Sequence, residues 1–187
     1  MQDWIMWAVL GVVVLFVISI YNRIITLSQA RKTALSDIDV QLKMRYDLVP
    51  NLVEAVKGYA AHEKGVLENV TAARATAMQG GGSVADRAKA EGALSGAMMN
   101  LMAVAENYPQ LKADANFRQL QSDLSDIENK IAASRRFFNN ATSEYNTAIK
   151  QFPAVLLTGM MGFQEGVFFE VDAAEKQAVN TAPKVSF

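Results

Sequence analysis

His62 is the residue whose type most readily suggests chemistry, because it is the only histidine of the chain and Glu63 follows it directly. A zinc-protease helix needs a second histidine four residues on, but Val66 occupies that position. A di-iron helical bundle needs a glutamate three residues before the histidine, but Tyr59 stands there. The sequence also has no cysteine. We therefore expect no metal site and no cofactor, with His62 a surface or boundary residue of a helix.

The other patterns that would indicate an enzyme or a nucleic-acid binder are incomplete. The glycines of residues 79–83 lack the Gly-Lys-Ser/Thr of a phosphate loop, and no Gly-x-Ser-x-Gly elbow occurs. A formal net charge of -1 gives no overall attraction to nucleic acid, and Arg135 and Arg136 form an isolated basic pair. We expect a protein without catalytic residues and without a nucleic-acid partner.

Arg45 and Glu63 are charged residues within an apolar seam. The two lie about 27 Å apart if they share one helix, so they cannot pair with each other. Because a lone buried charge is costly, we expect each to meet an opposite charge or polar group on a neighbouring helix, and both are candidate interaction residues. The seam steps alternately by three and four residues, as in helices packed lengthwise: Leu35, Ile38, Leu42, Arg45, Val49, Leu52, Val56, Tyr59, Glu63, Val66, Val70, Ala73 and Ala77.

Pro50 lies inside this seam, which passes through it without a change of phase. No glycine or polar turn cluster flanks the proline. The sequence therefore favours one long helix over residues 35–77, kinked where Tyr46 loses a hydrogen-bond donor. The alternative is a tight hairpin in which Asp47 caps a new helix that has Pro50 in its first turn.

Two more helices are predicted after the glycine-rich turn, over residues 84–106 and 111–151, with residues 107–110 between them. The last helix is roughly 60 Å long, which matches a four-helix bundle if the chain reverses near Pro50. The predicted fold class is all-α: an N-terminal transmembrane helix and an elongated antiparallel up-and-down bundle of the four-helix type. The seam of the last helix comprises Phe117, Leu120, Leu124, Ile127, Ile131, Ser134, Phe138, Ala141, Tyr145, Ala148 and Phe152.

Residues 4–20 form a run of seventeen residues without a charge. As a helix the run spans roughly 26 Å, and continued to Leu27 it crosses a hydrocarbon core of about 30 Å. Trp4 and Trp7 at one end and Tyr21 at the other are typical interfacial anchors. A cleaved signal peptide is the alternative, but this sequence has neither its basic start nor its small-residue cleavage site.

The charges that flank the run predict its orientation. Asp3 precedes it, whereas Arg23, Arg31 and Lys32 follow it. Because lysine and arginine are retained on the cytoplasmic side, we expect a single-pass protein of the bacterial cell membrane, with its N-terminus outside and its main domain in the cytoplasm.

The sequence changes character after the last helix. Residues 152–169 are apolar, contain three glycines and are too interrupted for a second span. We divide the chain into an anchor (1–27), a helical bundle (28–152) and an apolar C-terminal stretch with a tail (153–187). Because exposed apolar patches mark interaction sites, we expect homo-oligomers stabilised around Leu156, Met160, Phe163 and Phe168. Contact of this stretch with the bundle or with the membrane interface is the alternative.

Two long stretches resemble the LemA family of bacterial membrane proteins. They are "YNRIITLSQARKTALSDIDVQLKMRYDLVPNLVEAVKGYAAHE" and "FPAVLLTGMMGFQEGVFFEV", and a closing "PKVSF" adds to the resemblance. It implies a single-pass protein with an all-helical domain of four-helix type and no established enzymatic activity. Relatives in magnetosome membranes and a membrane metalloprotease encoded nearby imply a context of membrane organisation or envelope quality control, with the metalloprotease or other envelope proteins as partners.

These observations predict a membrane-anchored helical scaffold or interaction protein without catalytic activity, bound to lipid and to copies of itself. A membrane-remodelling protein that inserts its apolar C-terminal stretch is the alternative. A small-molecule sensor or an enzyme has less support, because it would need convergent polar groups in the bundle and the sequence offers mainly Arg45 and Glu63 there.

Overall fold

The computed structural model describes residues 2–79 and 82–169. Within these ranges the regular structure is entirely helical, which confirms the all-α prediction. The helices are α1 (Gln2–Lys57), α2 (Lys64–Met78), α3 (Val84–Ala105), α4 (Pro109–Ala113), α5 (Ala115–Lys150) and α6 (Val155–Thr158).

The chain forms two compact units, and α1 and α5 contribute to both. Unit 1 contains Met1–Ile38 and Ser134–Val167. Unit 2 contains Asp39–Ala133 and, at the end of the described chain, Phe168 and Phe169. The candidate sites below each lie within one of these units.

Unit 2 is built from four helical segments that alternate in direction. Asp39 pairs with Arg87, and Arg45 pairs with Glu91 further along both helices, so α1 and α3 run the same way. Arg45 also pairs with Glu128 of α5. The buried core of the unit lies between these segments and comprises Val49, Leu52, Val56, Ala60, Leu67, Val70, Ala77, Leu94, Ala97, Met98, Leu101, Ala105, Leu111 and Phe117.

Helix α5 runs opposite to α1 within this unit. Tyr59, just beyond the end of α1, donates a hydrogen bond to Asp114, which directly precedes α5. Helix α2 also returns along α1, since Tyr46 contacts Ala77 near the far end of α2. The result is an up-and-down arrangement of the four-helix type. Both α3 and α5 lie close to the ranges predicted for them from the sequence.

The prediction of one helix over residues 35–77 is wrong beyond Lys57. Helix α1 continues through Pro50, so the alternative hairpin at the proline is wrong as well. The chain reverses over residues 58–63 instead. Tyr59 and Glu63, the seam positions in that turn, are respectively exposed and half-buried. The three-and-four spacing holds on both sides of the turn, because the antiparallel helices α1 and α2 each direct their apolar residues into the same core.

Unit 1 contains the apolar run. Trp4–Lys57 is the stretch of helix that is long and apolar enough to cross a membrane by length and composition, and its most apolar window has 0% of its residues buried. Further along α1, Ile24 is buried against Tyr145 and Ile149 of α5 and against Ala154. The unit therefore combines a bare apolar helix with a packed helix pair.

The predicted seam of α5 ends one turn early. Phe152 is 80% exposed, so its assignment to the buried seam is wrong. Helix α5 stops at Lys150, and the residues up to Ala154 form a turn. The fixed φ of Pro153 and its missing N–H account for this end, which points Phe152 away from the helix pair.

Candidate functional sites

Arg45 is completely buried and ties three helices of unit 2 together. Its guanidinium pairs with Glu91 of α3, and Nη1 lies 2.9 Å from Oε1 of Glu128 on α5 and 3.1 Å from Oγ of Ser95. The expected pairing of Arg45 with opposite charges on neighbouring helices is confirmed. Its role in contacts with other proteins, also predicted from the sequence, stays a prediction.

Tyr46 and Arg74 extend this group of polar residues to α2. The Tyr46 hydroxyl donates to the buried carboxylate of Glu91 and lies 3.3 Å from the carbonyl oxygen of Ala77. Nε of Arg74 donates to the carbonyl oxygen of Tyr46 at 2.7 Å. We call the whole group the Arg45 cluster: Arg45, Tyr46, Arg74, Glu91, Ser95 and Glu128.

Pro50 explains the place of Arg74 in the cluster. In a regular helix the amide of residue 50 would donate to the carbonyl of Tyr46, and proline has no such amide. The guanidinium of Arg74 supplies a donor to that carbonyl from the neighbouring helix. Helix α1 thus passes the proline with a donor at the gap, which is why the chain does not need to turn there.

The residues of the Arg45 cluster are of the kind that fix the alignment of neighbouring helices. Each charge in it meets an opposite charge or a hydrogen-bond partner on another helix, and such buried pairs fix the alignment of helices. Among residues 2–79 and 82–169, no three histidine, cysteine, aspartate or glutamate residues lie together as potential metal ligands. The cluster can therefore hold helices in place, and its acids are already engaged by Arg45.

His62 and Glu63 lie in the turn between α1 and α2. His62 is exposed, and Glu63 precedes α2 without a side-chain capping bond. Within the described part of the chain Glu63 forms no salt bridge, so the pairing expected of it is not found there. The reason is local: water reaches a half-buried carboxylate in a turn, which removes the need for a buried counter-charge.

A groove of about 700 Å³ runs between the end of α1 and α2 in unit 2. Small or apolar side chains form its floor, and charged side chains form its rim. Near the turn the rim carries Lys57 and Lys64, and about one helical turn further it carries Glu54 and Glu68. The floor comprises Val53, Ala61, Leu67, Thr71, Ala72 and Ala75.

A glycine and an asparagine fasten the C-terminal segment to α5 in unit 1. The side-chain amide of Asn146 accepts from the backbone N–H of Gly166 at 2.7 Å and donates to its carbonyl at 2.9 Å. Arg31 lies over the same glycine, where a Cβ would come within 2.7 Å of the guanidinium carbon. Arg31 also donates to Thr142 Oγ1 at 3.2 Å. We call Arg31, Thr142, Asn146 and Gly166 the C-terminal clasp.

The apolar residues predicted to mediate self-association differ in their exposure. Leu156 and Met160 are 64% and 88% exposed, and Phe168 is exposed as well. Phe163 is half-buried, with its ring centroid 5.9 Å from that of Tyr21. Leu156 and Met160 are thus exposed to solvent, whereas Phe163 contacts Tyr21. Whether any of them contacts another protein stays a prediction.

Asp114 joins the start of α5 to the end of α1. One carboxylate oxygen accepts from the backbone N–H of Phe117 at 3.0 Å, and the other accepts from the Tyr59 hydroxyl at 3.3 Å. The Phe117 N–H, followed by weaker contributions, holds the pKa of Asp114 below its usual value. The charge of Asp114, and then its hydrogen bond, raises the pKa of Tyr59. The bond from the Phe117 N–H identifies Asp114 as the cap of α5.

Residues 34–187 match the model of the LemA family, and this range includes the Arg45 cluster, the groove and most of the C-terminal clasp. This chain belongs to the LemA family. The apolar run of residues 4–20 precedes the matched range. The family resemblance predicted from the sequence is therefore confirmed.

Curated relatives of this LemA-family chain include magnetosome proteins. Magnetosome proteins MamQ 2 and MamQ 1 of Paramagnetospirillum magneticum are each 26% identical to it, over 86% of this chain and 67% of theirs. Magnetosome protein MamQ of Magnetospirillum gryphiswaldense is 25% identical with the same coverage. The bare apolar helix and these relatives indicate a membrane-associated protein.

Sequence reasoning missed most of the partners in these sites. Glu91 lies three residues before the buried Leu94, so a three-and-four pattern continued backwards from Leu94 would have included it. Arg74 gave no such signal, because it stands off the seam between Ala73 and Ala75. Gly166 could have been noticed as a glycine in an apolar segment, but its neighbour Arg31 is far away in sequence.

Proposed function

We propose that this protein is a membrane-anchored, non-catalytic helical scaffold that associates with copies of itself. The observation that carries the proposal is the Arg45 cluster, a group of buried charges in unit 2 whose members pair with one another across helices. In an enzyme we would expect polar groups to converge on an open cavity. The LemA family membership and the apolar span support the anchoring part of the proposal.

The surface that we assign to self-association is the groove between α1 and α2. Its rim has a basic end, with Lys57 and Lys64, and an acidic end, with Glu54 and Glu68. Two copies related by a twofold axis would place the basic end of one groove against the acidic end of the other. The small side chains of the floor would allow helices to approach closely. Lys57 already pairs with Glu54 of the same helix, with Nζ and Oε1 3.0 Å apart, so Lys64 and Glu68 are the charges that fit a second copy.

This assignment differs from self-association through Leu156, Met160, Phe163 and Phe168. Phe163 is already packed on Tyr21, and Phe168 belongs to the other unit than the remaining three. The charged rim of the groove resembles the polar rim of protein interfaces, whereas Leu156 and Met160 have no charge in their immediate sequence.

We further propose that the main domain lies in the cytoplasm and that envelope proteins, a membrane metalloprotease among them, bind the assembled scaffold. The flanking charges Arg23, Arg31 and Lys32 support the orientation. Fusion of a reporter that is active only outside the cytoplasm to Phe187 tests it. We expect no reporter activity. Strong activity would show that the main domain lies outside the cytoplasm and would contradict the proposed orientation.

Light scattering on full-length protein in detergent, combined with bis-maleimide cross-linking of single-cysteine variants in membranes, tests self-association. The chain has no native cysteine, so each introduced thiol is unique. We expect Thr71→Cys, in the groove and within one helical turn of Glu68, to cross-link into dimers. Ala132→Cys, exposed on α5, is the matched control and should not cross-link. A strictly monomeric protein in both measurements would refute the self-associating scaffold.

A further inference from the structure

We propose that residues 151–164, which we call the apolar tip, enter the membrane interface beside the anchor and form a second contact with lipid. This inference rests on the membrane anchoring proposed above. The occupant of the exposed face of the tip is then the boundary between lipid head groups and acyl chains. The tip would lie in the interface without spanning the bilayer.

Charged side chains flank the tip but do not occur within it. The fourteen residues from Gln151 to Gln164 contain no charged side chain. The residues on either side, Lys150 and Glu165, form a salt bridge with Nζ and Oε2 2.8 Å apart. The tip is therefore an uncharged loop closed at its base by an exposed ion pair. Charged groups stay in water at a membrane surface, so the pair marks a natural limit of insertion.

The tip contacts α1 near the end of the apolar run. The tip packs on α1 where the apolar run ends, with Phe163 against Tyr21 and Ala154 in the cluster around Ile24. The run of residues 4–20 covers roughly 26 Å of a hydrocarbon core of about 30 Å. The core boundary therefore falls within about one helical turn of Tyr21. The folded protein holds the tip at that boundary.

The tip exposes large apolar side chains. Phe152, Leu156 and Met160 are 80%, 64% and 88% exposed. The apolar side chains of the anchor are exposed as well. Burial in lipid removes this surface from water without requiring any polar partner. A protein partner would usually contribute a polar rim, for which the tip offers no charge.

Hydrogen bonds to α5 hold the tip in place before it meets the membrane. The Thr158 hydroxyl donates to the Ile149 carbonyl at 3.0 Å, and the Tyr145 hydroxyl donates to the Gln164 carbonyl at 3.0 Å. Both bonds hold the tip to α5. Because the tip is already ordered on the helix pair, little conformational entropy is lost when lipid covers it.

Depth measurement with spin labels tests the inference on the full chain in phosphatidylcholine–phosphatidylglycerol vesicles. Met160→Cys and, independently, Leu156→Cys carry a nitroxide at the tip. Val14→Cys provides a lipid control and Asn140→Cys a water control. Collisions with oxygen, which concentrates in lipid, are compared with collisions with a water-soluble nickel chelate. We expect both tip labels to favour oxygen over nickel, as Val14→Cys does and Asn140→Cys does not.

Each other outcome overturns the inference. Tip labels as accessible to nickel as Asn140→Cys would place the tip in water. Tip labels protected from both agents, with spin–spin broadening between copies, would make the tip a contact between subunits. If Val14→Cys is itself accessible to nickel, the anchoring fails and the inference falls with it. A lipid-like Val14→Cys with a water-like Met160→Cys would refute the inference alone.

Discussion

Nε of Arg74 lies 2.7 Å from the carbonyl oxygen of Tyr46, the oxygen whose usual helical donor is removed by Pro50. This bond connects α2 to α1 at the position where the proline leaves the helix without an amide. The proline and the arginine therefore act as a pair, although 24 positions separate them in the sequence. Their effects on stability should be coupled.

Replacement of Arg74 by Met should lower the free energy of unfolding by about 1–3 kcal/mol, because the Tyr46 carbonyl loses a charged donor inside the protein. In a Pro50→Ala background the same replacement should cost less, since the substituted alanine returns an amide to the helix. Urea unfolding of all four proteins in detergent gives the coupling energy, expected to be about 1 kcal/mol. Purely additive effects would show that Arg74 does not compensate for the proline.

Removal of one acid from the Arg45 cluster should be more damaging than removal of the arginine. Glu91→Ala leaves Arg45 buried with fewer partners and should cost about 3 kcal/mol or more. Arg45→Met should cost less, because Glu91 keeps the Tyr46 hydroxyl as a donor. Chemical unfolding followed by circular dichroism measures both values.

The exposed pair of Lys43 and Asp47 is the control for this comparison. Lys43→Ala should change the free energy of unfolding by about 0–0.5 kcal/mol, because water screens that pair. The double variant Arg45→Met/Glu91→Met should recover most of the loss caused by Glu91→Ala. Equal costs for Arg45→Met and Glu91→Ala would mean that burial of the unpaired charge is not the dominant effect.

Gly166→Ala should weaken the C-terminal clasp. The added methyl group would displace the Arg31 guanidinium, at a cost of about 1–2 kcal/mol, and should speed proteolysis of the C-terminal segment. In an Arg31→Ala background the same substitution should be nearly neutral. Gly96→Ala in α3, where a Cβ meets nothing within 4 Å, should instead stabilise by about 0.5–1 kcal/mol. Slower proteolysis of Gly166→Ala would contradict the clasp.

Asp114→Asn should make the protein less sensitive to acid. The pKa of Asp114 is lower in the folded chain than its usual value, so its stabilising contribution is complete above the unfolded pKa and is lost as pH falls through the folded pKa. Asparagine still caps a helix but does not titrate in this range. Unfolding curves between neutral pH and acid pH should show a smaller loss of stability in the variant. An unchanged pH dependence would exclude this cap as a contributor.

The predictability of the fold follows from where its boundaries carry distinctive residues. Helix α3 was predicted to within a residue, because Gly82 and Ser83 precede it and a proline segment follows. The reversal after Lys57 was missed because the seam keeps its phase through the turn. Gly58 is the one turn-forming residue type there, and a single glycine is also tolerated within helices.

For the sites, the sequence could predict that a buried residue needs a partner, but it could not predict which residue the partner is. Burial of Arg45 followed from its seam position, and the cost of a lone charge then required a partner. That Arg74 would serve the carbonyl near Pro50 could not be predicted, because it depends on where α2 returns along α1. The clasp around Gly166 likewise depends on the docking of an irregular segment, for which side-chain periodicity gives no signal.

The division of unit 1 into two distant stretches of chain has a consequence for biogenesis. Met1–Ile38 is synthesised before Ser134–Val167, with Asp39–Ala133 between them. At about 5–20 residues per second, the first stretch waits roughly 5–20 s for its partner to leave the ribosome. During this interval Ile24 and the residues around it lack the side chains that cover them in the finished protein. The stretch of unit 2 from Asp39 to Ala133 is therefore complete before the helix pair of unit 1 can form.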